Sequence, residues 1–450
     1  MTSDQYLSVL NPEQKEAVVH EGSPLLILAG AGSGKTRVVT TKIAYLISEK
    51  HVDPFSILAV TFTKKAANEM KERAVALEKR AAWAQIRTFH SFGASFLRTY
   101  AKKAGISPDF TVYDDDDVVT LILKSNPGLT RTEASRFAHK ISLAKDYCLE
   151  YDSSELSLIE DNPQFPQIYK NYQERLRQTG NLDFGDLIML PYLVLSKNKE
   201  LRSEIHCRYR VIMVDEYQDS NVAQFLLLKE LSGVEENSKS YVCVVGDDDQ
   251  SIYKFRGAEV KNILNFQQTF PNTRLVRLET NYRSTKEILD CASSLVCHNK
   301  GRLGKNLKAF RGEGKKPALV FLPDQKDEAM FCADLIEISH EKGFPYSDWA
   351  ILYRTNAQSL AFETEFLHRK IPYRIVGSLK FYEREEIKDT LAWLSFIANP
   401  RDEIAFRRIV NKPVRGIGEV SQDRIIDFSR TGSLEECLDK VKQFHHEDLQ

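Results

Sequence analysis

The run Ala29-Gly30-Ala31-Gly32-Ser33-Gly34-Lys35-Thr36 sets small residues directly before a lysine and a hydroxyl. Small residues let a backbone close on an anion, and a helix starting at the end of such a loop points its N–H groups at phosphate oxygens. In that pattern the lysine reaches the β- and γ-phosphates and the neighbouring hydroxyl binds Mg²⁺. The candidate cofactor-binding residues are Ala29, Gly30, Ala31, Gly32, Ser33, Gly34, Lys35, Thr36 and Arg37, for ATP with Mg²⁺, with Thr36 as a metal ligand. The strict pattern has glycine where Ala29 stands. A ligand-free glycine-rich turn would share the spacing, but here an apolar run, Leu25 to Leu28, precedes the loop and helical sequence follows it through Tyr45.

A second chemical pair, Asp215-Glu216, ends the apolar run Val211 to Val214. Carboxylates at the end of a buried strand lie at the edge where open α/β sheets bind ligands. Asp215 is then the second candidate Mg²⁺ ligand, and Glu216 the base that orients and deprotonates an attacking water. A surface acidic pair would look alike; the upstream phosphate loop favours chemistry.

The elements that must carry these groups are short β-rich runs alternating with helical sequence: 25–28, 57–60, 211–214 and 241–245. Such alternation predicts an α/β fold with a parallel sheet covered on both faces. Between about Thr99 and Leu182 the rhythm becomes helical, which reads as an insertion. Its acidic run Asp114 to Asp117 suits a solvated helix start better than a metal site. A second strand series is expected from Arg274-Leu275-Val276-Arg277-Leu278 through 319–321 and 350–353, followed by helical sequence from about Glu383.

Composition excludes several classes. With 42% apolar and 28% charged residues, and 21 glycines and 15 prolines in 450, the chain is neither disordered nor fibrous. The longest uncharged run, Gly22 to Gly34, is 13 residues, and a membrane span needs about 18 or more. Seven scattered cysteines without Cys-x-x-Cys spacing, and an N-terminus unlike a signal peptide, fit a cytoplasmic protein. A net charge of −1 advertises no polyanionic partner, so any nucleic-acid surface must be local.

Asp215-Glu216-Tyr217-Gln218-Asp219 resembles the acidic motif of the UvrD/Rep/PcrA group of superfamily 1 DNA helicases, and that family's order of motifs continues along nearly the whole chain. Leu10-Asn11-Pro12-Glu13-Gln14 resembles its adenine-reading motif, which implies Gln14 as the base contact. Thr61-Phe62-Thr63-Lys64-Lys65-Ala66-Ala67 and Thr88-Phe89-His90-Ser91-Phe92 resemble its early DNA-contact motifs, implying DNA contacts at Phe62, Thr63 and His90. Leu182 to Leu187 matches the return from the first insertion. In Gly246 to Ala258 the resemblance implies that Gln250 senses the γ-phosphate, Tyr253 and Phe255 stack on bases, and Arg256 joins the two sites. The family often has tryptophan at position 255, and phenylalanine also offers an aromatic face.

Leu278-Glu279-Thr280-Asn281-Tyr282-Arg283-Ser284 resembles the motif in which Tyr282 stacks on adenine and Arg283 is an arginine finger, giving a catalytic set of Glu216, Lys35, Gln250 and Arg283. Tyr353 to Ser359 resembles a loop touching single-stranded DNA, implying contacts from Arg354 and Asn356, though Leu360 stands where the family usually has arginine. Ile371 to Gly377, Phe381 to Asp389 and Asn411 to Gly418 fit the end of that half-domain and the second insertion. The basic stretch Lys300 to Lys316 is either a phosphate-contacting strip or a solvated loop.

The resemblance implies a first RecA-like domain over 1–98 and 183–273, a helical insertion over 99–182, the N-terminal part of a second RecA-like domain over 274–380, and the start of a second insertion over 381–450. Two late motifs of the family are absent after Asp389, so the chain is expected to be the N-terminal piece of a longer helicase. The implied function is ATP-driven 3′-to-5′ movement on single-stranded DNA, with unwinding at single-strand/duplex junctions, in repair or replication restart. The alternative is a nucleotide-dependent DNA-binding fragment without a productive motor. A helicase-nuclease ranks lower for want of a nuclease carboxylate cluster, and small-molecule phosphotransfer, which the phosphate loop alone would permit, is disfavoured by Asp215-Glu216 and the aromatic DNA-contact segment.

Overall fold

A computed structural model describes residues 3–234, 240–254, 257–376 and 385–431. Phe255 and Arg256, together with Gly377 and the stretch Phe381 to Arg384, lie outside these residues. The described residues fall into two compact units, one from Met1–Lys315 with Ser395–Gln450, the other from Lys316–Leu394.

The first unit is built on six strands: β1 Leu25–Ala29, β2 Ile57–Thr61, β3 Gln85–Thr88, β4 Val211–Val214, β5 Tyr241–Gly246 and β6 Arg274–Leu278. They pair in the order β3-β2-β4-β5-β1-β6, every neighbouring pair parallel. The apolar runs are strands because both faces are covered, and side chains alternate between two cores with the period of a strand. Leu26, Leu28, Ile212, Val214, Val242 and Val244 join Phe89, Phe92, Tyr217 and Phe266 on one face. Leu25, Ile27, Ala29, Met213, Cys243 and Val245 join Val38, Ile43 and Met70 on the other.

One expected strand has moved. Arg274–Leu278, read above as the start of a second series, is the sixth strand of this sheet, in register Leu25↔Arg274 through Ala29↔Leu278. That placement gives β1 hydrogen-bonded neighbours on both sides and buries Val276 and Leu278. Because all six strands are parallel, the loops following them leave from a single edge.

Between Thr99 and Leu182 the described residues are mainly helical. The main helices there, Asp115–Ser125, Arg131–Asp146 and Phe165–Thr179, enclose a separate core that includes Leu121, Ile122, Phe137, Phe165 and Tyr172. Asp114 caps the first of them by accepting from Asp117 N, with three further aspartates in the first turn, so the acidic run is a helix start. Lys145, fully buried, donates to Asp183 at 2.6 Å and Asp186 at 2.7 Å and so pins the insertion to the returning chain. The same insertion carries the segment after Ser395: Tyr113 Oη donates to Asp402 and Arg175 forms a two-pronged pair with Glu403.

The second unit holds the helices Gln325–Glu341 and Ser359–His368 around Ala329, Ala333, Ile336, Phe362 and Phe366. The runs expected as strands at 319–321 and 350–353 are not in strands. Leu319 is 81% exposed, Phe321 86% and Leu352 94%. A strand exists only with a partner for its backbone, and among the described residues of this unit no ladder forms.

Candidate nucleotide site and nucleic-acid interface

The phosphate loop follows β1 and runs into the helix Lys35–Ser48. Gly32 and Gly34 hold φ of +65° and +90°, conformations that other residues rarely adopt, and Gly34 caps the helix. Ser33 Oγ donates to Gly30 O at 2.7 Å and closes the turn. A Cβ at Gly32 would lie 2.7 Å from Arg283 Cβ, and one at Gly34 2.8 Å from Gln14 Nε2, so neighbouring segments press against the loop where it lacks side chains. Arg37, on the first turn of the helix, is exposed.

Gln14 is 1% exposed and its carboxamide is engaged at both ends. It accepts from Asn11 N at 3.2 Å as part of a capping box and donates to Ser33 O at 2.8 Å. The residue proposed to read adenine therefore also braces the phosphate loop.

After β4, Asp215 is 5% exposed and Glu216 adopts φ +51°. A left-handed conformation in a non-glycine residue costs backbone strain and persists only when its surroundings enforce it. Here it turns the Glu216 carboxylate to Lys35, whose Nζ donates to Oε2 at 2.9 Å. Burial, followed by the Glu216 charge, pushes the Asp215 carboxyl up to about 6. Asp219 is also raised to about 6, mainly by burial, and its Oδ1 is buried without a hydrogen-bond partner. Asp215 and Asp219, two acids raised mainly by burial, one of them with an oxygen that has no hydrogen-bond partner, form a donor set that a divalent cation would satisfy.

Gln218, quoted above within the acidic motif without a role of its own, is bound into this edge. It is 1% exposed, donates to Glu216 Oε2 at 2.9 Å and accepts from Asp247 N at 2.9 Å. It thereby links the end of β4 to the end of β5, where Gln250 Nε2 donates to Asp247 at 2.5 Å.

After β6, Tyr282 and Arg283 reach the loop through Asn281, a second residue without an assigned role. Asn281 Nδ2 donates to Ala31 O at 2.6 Å, while Oδ1 accepts from Arg283 N at 2.9 Å and Ser284 N at 2.8 Å. Tyr282 N donates to Gly32 O at 2.9 Å, and its hydroxyl accepts from Asn11 at 2.9 Å. The Arg283 side chain is exposed beside Gly32. Asparagine's capacity to hold a local turn was the available signal for Asn281.

The candidate DNA residues of this unit leave the same edge from β2 and β3. Phe62 is half-buried against Phe89, with ring centroids 6.0 Å apart. Thr63 caps the helix Lys64–Leu77. His90 meets the 53%-exposed ring of Phe184 edge-on at 5.9 Å, and burial lowers its pKa, favouring the neutral imidazole. Phe184 is thus a further aromatic face at this site. Tyr253 is exposed. Arg354 and Asn356 lie in the second unit, exposed, in a turn where Gln358 accepts from Arg354 N and Thr355 N. A groove of about 1000 Å³, lined in part by His51, Phe55, Arg208 and Tyr241, opens at the opposite, N-terminal edge of the sheet and contains none of these residues.

Residues 10–271 match the UvrD/REP helicase N-terminal domain, and residues 276–448 match the UvrD-like helicase C-terminal domain. The chain is 43% identical over 441 residues to a Bacillus subtilis protein named ATP-dependent DNA helicase PcrA, covering 96% of this chain and 59% of that relative. It is 42% identical over 431 residues to ATP-dependent DNA helicase UvrD1 of Mycobacterium tuberculosis, covering 93% and 56%. The chain thus spans a little over half the length of these curated relatives. No helix among the described residues is long and apolar enough to cross a membrane. With the two family domains matched in succession along nearly all of its length, the chain belongs to the UvrD/REP helicase family.

Proposed function

We propose that this chain carries the ATP-hydrolysing machinery of a DNA helicase that moves 3′ to 5′ on single-stranded DNA and opens single-strand/duplex junctions in cytoplasmic repair or replication restart. The observation that supports it best is the convergence, at one sheet edge, of Lys35 and Glu216 at 2.9 Å with the Asn281-Tyr282-Arg283 segment on the phosphate loop. Thr36 and Asp215 would hold Mg²⁺, which when bound neutralises charge on phosphate oxygens.

The Lys35–Glu216 pair suggests an exchange of partners. When Lys35 turns to the β- and γ-phosphates, Glu216 loses its counter-charge and becomes available to accept a proton. Glu216 takes that proton from water as the water oxygen attacks the γ-phosphorus; the bond to the bridging oxygen breaks and ADP leaves with its electron pair. Arg283, whose Cβ lies beside Gly32, would stabilise charge on the transferring group, and Gln250 would sense its presence. Phe62, Thr63, His90, Tyr253, Arg354 and Asn356 are the proposed DNA contacts, together with Phe255 and Arg256.

The test is steady-state ATP hydrolysis with and without single-stranded DNA. Stimulation by DNA, with turnover lowered about 10²- to 10⁴-fold in Glu216→Gln and by a similar factor in Lys35→Ala, is the expected result. ATP binding without DNA-stimulated turnover would identify the chain as a nucleotide-dependent DNA-binding module instead.

A further inference from the structure

The basic stretch Lys300 to Lys316 is not one surface. Lys305 is 9% exposed, with Nζ 2.6 Å from Asp247 Oδ1, 2.7 Å from Asp248 Oδ1 and 2.5 Å from Asp249 Oδ2. The ammonium donates hydrogen bonds to Asp248 and Asp249 and is ion-paired with Asp247. Arg302 adds a two-pronged pair with Asp249 at 2.7 and 2.8 Å, and Leu303 N donates to Asp248 at 2.8 Å.

Three carboxylates with oxygens within 4.8 Å of one another repel strongly unless a cation stands among them. The Lys305 ammonium takes that place. Burial alone would lower its pKa, but the aspartates more than offset this and hold it above the ordinary lysine range. Neither expectation for the basic stretch, phosphate contact or solvation, describes Lys305 or Arg302.

The clamp bears on Gln250. Asp247 accepts from Gln250 with one oxygen and pairs with Lys305 through the other, and its N–H continues through Gln218 to Glu216 and Lys35. Lys305 itself sits on a segment fastened to the end of β6: Arg277 donates to Gly304 O at 2.9 Å and Asn306 N donates to Glu279 at 2.8 Å. Two residues further on, Leu307 rests against Gly30, where a Cβ would lie 2.2 Å from Leu307 Cδ2. The lysine therefore ties the loop after β5 to the segment after β6 at the phosphate loop.

We propose that Lys305 is a positioning residue, a fixed internal cation that holds the Asp247–Asp249 turn so that Gln250 distinguishes a nucleoside triphosphate from a diphosphate. This rests on the nucleotide reading above and deepens it. The loss on neutralising Lys305 then falls on recognition of the terminal phosphate and spares the part of the site that binds ADP.

The test measures affinities for ADP and ATPγS in the full chain, alongside amide hydrogen exchange over 248–251. Lys305→Met should bind ADP within about twofold of the parent, lose about tenfold in its ATPγS-to-ADP preference, and exchange faster over 248–251. Gln250→Ala should lose the same preference, the double variant should lose no more, and Lys305→Arg should restore most of it. An unchanged ratio, or a parallel loss of ADP and ATPγS, overturns the proposal. If Lys305→Met does not fold, Asp248→Asn, which removes one partner and keeps the lysine, should lower the ratio about threefold; no change there overturns it equally. Failure of the parent chain to bind either nucleotide would overturn the nucleotide reading and this inference with it, whereas normal binding with an unshifted ratio overturns the inference alone.

Discussion

The apolar runs of the two units meet opposite fates. Leu25 to Leu28 is fully buried in β1, whereas Leu319, Phe321 and Leu352 stand 81 to 94% exposed outside any strand. Both sets are β-rich and similar in length. The difference lies in their neighbours: β1 has β5 and β6 on its two edges and a helical layer with its own core on each face, while 319–321 and 350–353 have no ladder among the described residues of their unit. Strand identity is thus conferred by pairing and burial, with residue type only permitting it.

The largest effect that would sharpen this contrast is expected at Lys145. Lys145→Met leaves Asp183 and Asp186 as buried charges without their counter-ion, and should cost about 3–5 kcal/mol in urea unfolding. A loss below about 1 kcal/mol would show that the insertion is held by its apolar core alone. Next comes Ile212→Ala in β4, expected to cost roughly 2–5 kcal/mol through a cavity between β2 and β5.

Asp146 offers a test by pH. Burial raises its carboxyl to about 7, although Asn221 donates to it at 2.6 Å. Its folded pKa lies above the unfolded value near 3.9, so its contribution to stability is complete below about pH 4 and is lost as pH rises through about 7. Asp146→Asn should therefore gain on the parent between pH 4 and 7, by roughly 4 kcal/mol once pH 8 is reached, since the rise from near 3.9 to about 7 is worth about 1.4 kcal/mol per pH unit. Equal melting temperatures at pH 8 would mean that the carboxylate is well accommodated. The smallest effect is expected at Leu352→Ser, within about 0.5 kcal/mol because the side chain is already in water. A cost of 2 kcal/mol or more in thermal unfolding would break the comparison by showing that this run is covered.

Much of the first unit was legible in local sequence. The loop from Ala29 to Thr36 lies between strand and helix as its flanks require, and Asp215-Glu216 ends β4. The acidic run after Tyr113 is a capped helix start. These outcomes depend on residues adjacent in the chain, where turn chemistry and period-two burial act directly. The β6 assignment failed because Arg-Leu-Val-Arg-Leu is equally good as the first strand of one sheet or the last of another.

What the sequence determined by itself, then, was the kind of element at each chemical motif and the chemistry that its residue types permit. What only the tertiary structure decided was partnership: Asn281 with Ala31, Gln14 with Ser33, Glu216 turned to Lys35, and Lys305 among three aspartates more than fifty positions away. A charge or an amide carries no record in local sequence of which distant group will neutralise it. That choice is made when the sheet brings its loops to one edge and each buried polar group must find a partner there.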